Sequence, residues 1–269
     1  MSAFDQSLAC DLARASRVAY DPGDTTPAPG LVVDEEFNSA EESVAGFVGH
    51  NGADVILAFR GTVAPDDDFV ISILNWLRNL DSDQTPRFQG DVHQGFSNGV
   101  DQVRGRFMDI IQRRRKPTQR LWVTGHSLGG ALATLAAALL AEQPKQDVFG
   151  VTAVYTFGSP RVGNSAFARQ YQPLLFRCER GDDIVPHVPP RLEIARLLNT
   201  LLPGKEFDIR DFVHAGALKY IDRGGRLRDD APGLDDDRLE HLAKPATFLR
   251  SGHVEDHRID GYVAALGGS

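Results

Sequence analysis

The chain has 269 residues, 42% hydrophobic and 25% charged, which suits one large α/β domain or two small ones and allows a substantial core. Its net charge of −8, from 37 acids against 29 bases, argues against nucleic acid or an anionic membrane surface as the main partner and leaves an uncharged lipid surface open. Two cysteines, Cys10 and Cys178, make neither a disulfide framework nor a cysteine metal cluster and are expected as buried thiols.

The opening MSAFDQSLACDLARASRVAY has no basic stretch followed by an apolar one. No signal peptide and no membrane span are expected, and a cytoplasmic chain and a secreted chain stripped of its leader read alike here. Leu8, Leu12, Ala15, Val18 and Ala19 line one face of a helix over Ser7 to Tyr20. VAGFVGH (44–50) and DVILAFRG (54–61) read as strands around the Asn51-Gly52 turn. From Phe96 a helix carries Val100, Val103, Phe107, Ile110 and Ile111 on one face and ends in the basic run RRRK (113–116), expected as a solvated helix end. LWVTG (121–125) is a short buried strand, and LGGALATLAAALLAEQ (128–143) a helix apolar all round, hence buried.

VTAVYTFGS (151–159) and LLFRCER (174–180) are further strands. Strand and helix alternating at this spacing imply parallel strands with crossover helices. LEIARLLNTLL (192–202) reads as a helix, and ALKYIDRGGRL (217–227) as a hairpin turning at Arg223-Gly224-Gly225. The acidic DDAPGLDDD (229–237) lacks the spacing and closing glutamate of a calcium loop. The chain should end in a helix near 253–266. No internal repeat or long linker interrupts it, so one domain over 1–269 is expected.

Gly125-His126-Ser127-Leu128-Gly129 fits G-x-S-x-G between a strand and a helix. That context predicts a tight turn with Ser127 in a strained backbone region and its hydroxyl at a helix N-terminus, where developing negative charge is favoured. A serine nucleophile needs a histidine, and the histidine an orienting acid; on this architecture the acid follows the serine and the histidine comes last. Asp182 and Asp183 both follow the 174–180 strand at the carboxyl end of the sheet, and position alone does not separate them; Asp208 and Asp211 are less well placed. Among His187, His214, His241, His253 and His257, the last two precede the final helix, and His257 is favoured over His253. The N–H of Leu128 is the expected first oxyanion donor. Thr62, after ILAFRG, is placed to be the second.

Taken in order, ILAFRGT (56–62), NWLRNL (75–80), VHQGF (92–96), VTGHSLGGALA (123–133), TFGSPRVGN (156–164), DIVPHVPP (183–190) and FVHAG (212–216) resemble the fungal-type, class 3 triacylglycerol lipase family over most of the chain. The resemblance implies an α/β-hydrolase fold with a mostly parallel central sheet flanked by helices and a helical lid. It maps the acid to Asp183, immediately before the I-V-P step, and the histidine to His257, a few residues before Tyr262. It also maps the oxyanion residue to Thr62, with Leu128 on the elbow, and gives His126 a supporting place. With two cysteines the chain looks like cysteine-poor, bacterial members rather than disulfide-linked fungal ones.

The family's lid falls at about 63–76, where APDDDFVISILNW joins three acids to an apolar run. Asp66, Asp67 and Asp68 suit a helix start, and Phe69, Ile73, Trp76, Leu77 and Leu80 follow helical spacing, with Val70 and Leu74 widening the stripe. Closed, such a face covers an acyl groove, which Leu192 to Leu202 line on the other side; open, it meets a lipid–water interface. The expected activity is hydrolysis of acylglycerol esters through an acyl-enzyme, with no metal or cofactor. A carboxylesterase of short soluble esters, a feruloyl esterase, a phospholipase, a peptidase or an acyltransferase would use the same serine chemistry, and a catalytically silent lipid-binding module is the rival from another class.

Overall fold

The computed structural model describes residues 3–41, 43–62, 83–144, 146–189, 210–230, 234 and 252–267. Helix α1 (Gln6–Val18) opens the fold, and the Asp5 carboxylate caps it by accepting the Leu8 N–H at 3.0 Å, satisfying one of the amides that a helix start leaves unpaired. Strands β1 (Val32–Asn38), β2 (Ala45–Asn51) and β3 (Asp54–Phe59) follow as an antiparallel meander. β1 was not among the expected strands, because Asp34, Glu35 and Glu36 hide its alternation; an edge strand tolerates such charge. Another omission is the hairpin of β4 (Gln84–Arg87) and β5 (Gly90–His93), whose strands carry a proline and few apolar residues.

Helix α2 (Gln94–Arg114) starts at His93, whose Nδ1 accepts the Phe96 N–H at 3.2 Å while its ring stacks on Phe96. The VHQGF stretch is therefore a strand end and a helix cap. At the other end of α2, Arg113 pairs with Glu35 and Asp109. Arg115 is not the solvated residue expected: its guanidinium donates to the carbonyls of Gln119, Val148 and Gly150 and ties the helix end to the loops beside it.

Then come β6 (Arg120–His126), α3 (Leu128–Ala141), α4 (Gln146–Phe149), β7 (Ala153–Phe157), α5 (Ser165–Gln170), β8 (Leu175–Arg180), β9 (Ala217–Ile221) and β10 (Leu227–Asp229). The expected C-terminal helix is two helices, α6 (Gly252–Glu255) and α7 (Ile259–Ala265), and the break at 256–258 holds His257. Among the described residues, eight strands form one sheet in the order β1-β2-β3-β6-β7-β8-β9-β10, parallel from β3 to β9.

Strand alternation builds a core on each face. Val55, Leu57, Phe59, Leu121, Val123 and Val154 face α2 and α3, while Ile56, Ala58, Trp122, Tyr155 and Phe157 face α1 and α7. Phe37, Phe59 and Phe107 meet ring to ring at 5.4–5.9 Å; pairs of this kind contribute about 0.5–1.5 kcal/mol each beyond area burial. They pin the carboxyl end of β3 against α2, beside the turn that carries Ser127. Cys10 and Cys178 are buried free thiols. Among the described residues no helix is long and apolar enough to cross a membrane. The expected lid, with Phe69, Val70, Ile73, Leu74, Trp76 and Leu77, lies outside the described residues, as does the 192–202 segment.

Candidate active site

The turn from β6 into α3 is built from close backbone contacts. Ser127 has φ 57° and ψ −132°, a conformation that costs an L-residue of order 1–3 kcal/mol and persists only where its surroundings impose it. Those surroundings are close. A Cβ on Gly125 would stand 2.2 Å from the Gly129 carbonyl oxygen, and one on Gly129 would stand 2.3 Å from the Phe59 oxygen. The Ser127 N–H bonds to the Phe157 carbonyl at 3.0 Å, which joins the turn to β7. Although Ser127 stands at the start of α3, its hydroxyl caps no amide.

That hydroxyl lies 2.8 Å from His257 Nε2, and His257 Nδ1 lies 2.8 Å from Asp183 Oδ2. All three side chains are buried. An ionised carboxylate only accepts, so Nδ1 carries the proton and Nε2 is left to accept from the serine. Asp183 also accepts the Val185 N–H on Oδ1 at 2.9 Å and the Tyr262 hydroxyl on Oδ2 at 2.6 Å. Burial, followed by the Asp183 charge, pushes the Tyr262 phenol well above its ordinary range, so it stays a donor.

The loop after Asp183 is held through its carbonyls. Arg161 donates to those of His187 and Pro189, and His214 Nε2 to that of Pro186 at 2.7 Å. His214 is held well below the usual histidine range, chiefly by burial and then by Arg177 and Arg161. Asp182 takes a different course from Asp183: its carboxylate pairs with Arg223 and its N–H bonds to Asp256 Oδ2. Asp211 accepts from Ser165. Asp208 and His241 lie outside the described residues, as does the side chain of His253.

His126 supports the base and not the nucleophile. Its Nε2 donates to the His257 carbonyl at 2.6 Å, so its Nδ1 accepts from the Tyr20 hydroxyl at 2.7 Å. Burial, and then the neighbouring His257 ring, hold His126 well below the usual range, and it is neutral. Tyr20 also closes on the loop after β3: a Cβ on Gly61 would stand 2.2 Å from its hydroxyl oxygen. Phe59 is level with Gly125 in the parallel register, so Thr62 emerges beside the elbow. Its hydroxyl is buried and has no partner among the described residues. Leu128, half-buried, begins α3 directly after the serine. Sequence reasoning missed Tyr20 altogether and used Tyr262 only as a landmark; no local pattern marks them.

The sequence model for "Lipase (class 3)" matches residues 56–193. The chain is 36% identical over 145 residues to a secreted mono- and diacylglycerol lipase of Fusarium solani, covering 51% of this chain and 40% of that protein. It is also 36% identical over 143 residues to a lipase of Rhizopus niveus, covering 51% and 35%. It thus spans two fifths or less of these curated relatives. Among solved structures, lipase II of Rhizopus niveus superposes with a TM-score of 0.62 at 26% identity over 80% of each chain. The triacylglyceride lipase of Rhizomucor miehei superposes at 0.66 and 23% identity, over 96% of this chain and 95% of that one; at that identity the likeness concerns the α/β-hydrolase fold alone.

Proposed function

The chain belongs to the class 3 lipase family, and from that premise we propose that it hydrolyses carboxylic esters of acylglycerols through an acyl-enzyme on Ser127. The observation that carries this reading is the buried relay, Ser127 Oγ to His257 Nε2 and His257 Nδ1 to Asp183 Oδ2, at 2.8 Å each. The curated relatives, described as lipases, support the choice of substrate.

His257 takes the Ser127 proton as the oxygen attacks the ester carbonyl, and Asp183 stabilises the imidazolium that forms. The tetrahedral oxyanion is held by the backbone N–H groups of Leu128 and Thr62 and by the Thr62 hydroxyl. Buried and without a partner among the described residues, that hydroxyl gains an acceptor as the oxyanion forms. The oxyanion collapses, the alkoxide leaves with the proton from His257, and the acyl group remains on Ser127. Water then gives up a proton to His257 and attacks the acyl-enzyme; collapse returns the proton to Ser127 and releases the acid.

The test is the initial rate of tributyrin hydrolysis against concentration, carried through the solubility limit, with Ser127→Ala as the blank. The expected result is hydrolysis that falls at least about ten-thousandfold in kcat in the variant. A steep rise as droplets form is the signature of the covering segment expected from Phe69 to Leu77. A rate that survives Ser127→Ala overturns the mechanism.

A further inference from the structure

Outside the relay, one group of charged residues is built around the two chain segments that deliver it. Asp256 stands immediately before His257, and Asp182 immediately before Asp183. Asp256 Oδ2 accepts the Asp182 N–H at 2.9 Å. The same carboxylate pairs through Oδ1 with Arg180 Nη1 at 3.0 Å, and that guanidinium also donates to the Asp256 carbonyl at 3.2 Å. Arg180 is the last residue of β8, so the end of the strand grips the chain just ahead of the histidine. Its own N–H bonds to the Tyr262 hydroxyl at 3.2 Å, the hydroxyl that donates to Asp183.

Two glycines make room for this grip. Gly181 lies between Arg180 and Asp182 with φ +51°, and a Cβ there would stand 2.3 Å from Asp256 Oδ2. On Gly261, in α7, a Cβ would stand 2.7 Å from Arg180 Nη1. The Asp182 carboxylate is turned away onto Arg223, so the two carboxylates are not left to repel each other across the bond.

We infer that Asp256, anchored by Arg180, is a positioning residue that sets His257 against Asp183. This rests on the hydrolase reading above. The contact between Asp183 and His257 is one rung between two chain segments, and a single rung allows either segment to pivot. The Asp182 N–H to Asp256 bond is a second rung, one residue away on both sides. With both in place, the imidazole's direction toward Ser127 is fixed from its main chain. His126 grips the His257 carbonyl from the other side, so the backbone around the base is held on either flank. The ion pair is partly exposed, with both side chains a quarter or more accessible; a pair of that kind adds little to global stability. Its consequence lies in geometry, where a misplacement of about 1 Å costs up to about a hundredfold in rate.

The test is steady-state hydrolysis of tributyrin by Asp256→Ala, Asp256→Asn and Arg180→Gln in the full chain. For Asp256→Ala, kcat should fall by about ten- to a hundredfold with KM within about twofold, because the change touches the chemistry and not the substrate. Asp256→Asn should recover part of that loss, since its amide oxygen still accepts the Asp182 N–H while its NH2 cannot pair with Arg180. Arg180→Gln, which leaves Asp256 in place and reads the anchor from its other end, should lower kcat by about fivefold. In a His257→Ala background, Asp256→Ala should change the residual rate by less than about twofold, because no imidazole remains to be aimed. A purely structural residue would lower both backgrounds alike. Parental kcat in folded Asp256→Ala, or in Arg180→Gln if the alanine variant does not fold, overturns the inference and leaves the hydrolase reading standing. A parent chain without Ser127-dependent hydrolysis overturns both.

Discussion

The two halves of the relay are held by different means. Ser127 is set by backbone: a turn with φ 57°, two glycines packed against carbonyl oxygens, and a main-chain bond to Phe157. All of that lies within a few residues of the serine or on the adjacent strand ends. His257 is set by side chains from distant segments. Asp183 bonds to its Nδ1 and is itself held by Tyr262, His126 grips its carbonyl, Tyr20 orients His126, and Asp256 bonds to the acid's own segment. A nucleophile placed by backbone tolerates no added atom, whereas a base placed by side chains can lose one contact and keep its fold.

The largest expected effect tests the backbone half. Gly129→Ala puts a methyl group where only 2.3 Å separates it from the Phe59 carbonyl oxygen. Neither the strand end nor the helix start can move away, because Phe59 is pinned by Phe37 and Phe107. The variant should lose about 3 kcal/mol of stability, at the upper end of overpacking costs, read as a lower midpoint in urea unfolding with unchanged m. A midpoint within error of the parent would mean that the elbow relaxes, and the contrast with the histidine half would collapse.

The same contrast explains what was legible in the sequence. Strand and helix periods revealed the parallel sheet, because Val55, Leu57 and Phe59 alternate with Ile56 and Ala58 across two buried faces. The elbow was legible because its residues are contiguous: glycine is required at 125 by the Gly129 carbonyl inside the turn and at 129 by the Phe59 carbonyl on the adjacent strand end. The charged edge strand β1 and the proline-bearing hairpin β4-β5 were not, since their pairing depends on neighbours and not on their own pattern. Asp182 and Asp183 are adjacent acids after one strand, and only tertiary contacts distinguish them. One bonds to Arg223 at the surface and the other to His257 in the interior. Tyr20 lies more than a hundred positions from His126, and no spacing rule reaches that far.

An intermediate effect tests the side-chain half. Tyr262→Phe removes one of the donors on Asp183 Oδ2 and leaves the His257 contact intact. The ring stays buried, so stability should change by no more than about 1–2 kcal/mol, the usual worth of a buried hydrogen bond. The kcat for tributyrin should fall by roughly tenfold with little change in KM, because the carboxylate, still held by Val185 and His257, loses the donor that fixes Oδ2 beside the imidazole. A large stability loss with unchanged kcat would place Tyr262 in the core alone.

The smallest effect concerns pH and reaches the acid loop through His214. His214 is buried, donates to the Pro186 carbonyl and is held well below the usual histidine range. In the unfolded chain it titrates near about 6.5. Below that pH the unfolded chain takes up a proton that the fold refuses, so stability is fully present above about 6.5 and falls as pH drops further. Between pH 6.5 and 5.5 this one residue should cost about 1 kcal/mol. His126, buried and depressed in the same sense, adds a similar share. Substituting His214→Gln keeps a donor for Pro186 and removes the titration, so urea unfolding across that interval should show a shallower decline by about 1 kcal/mol. An equal decline in parent and variant would mean that His214 is charged in the fold. The loop carrying Asp183 would then be held by an ion pair, with Glu179 3.7 Å away as the available partner, and the acid side of the relay would be fastened by charge instead of by neutral hydrogen bonds.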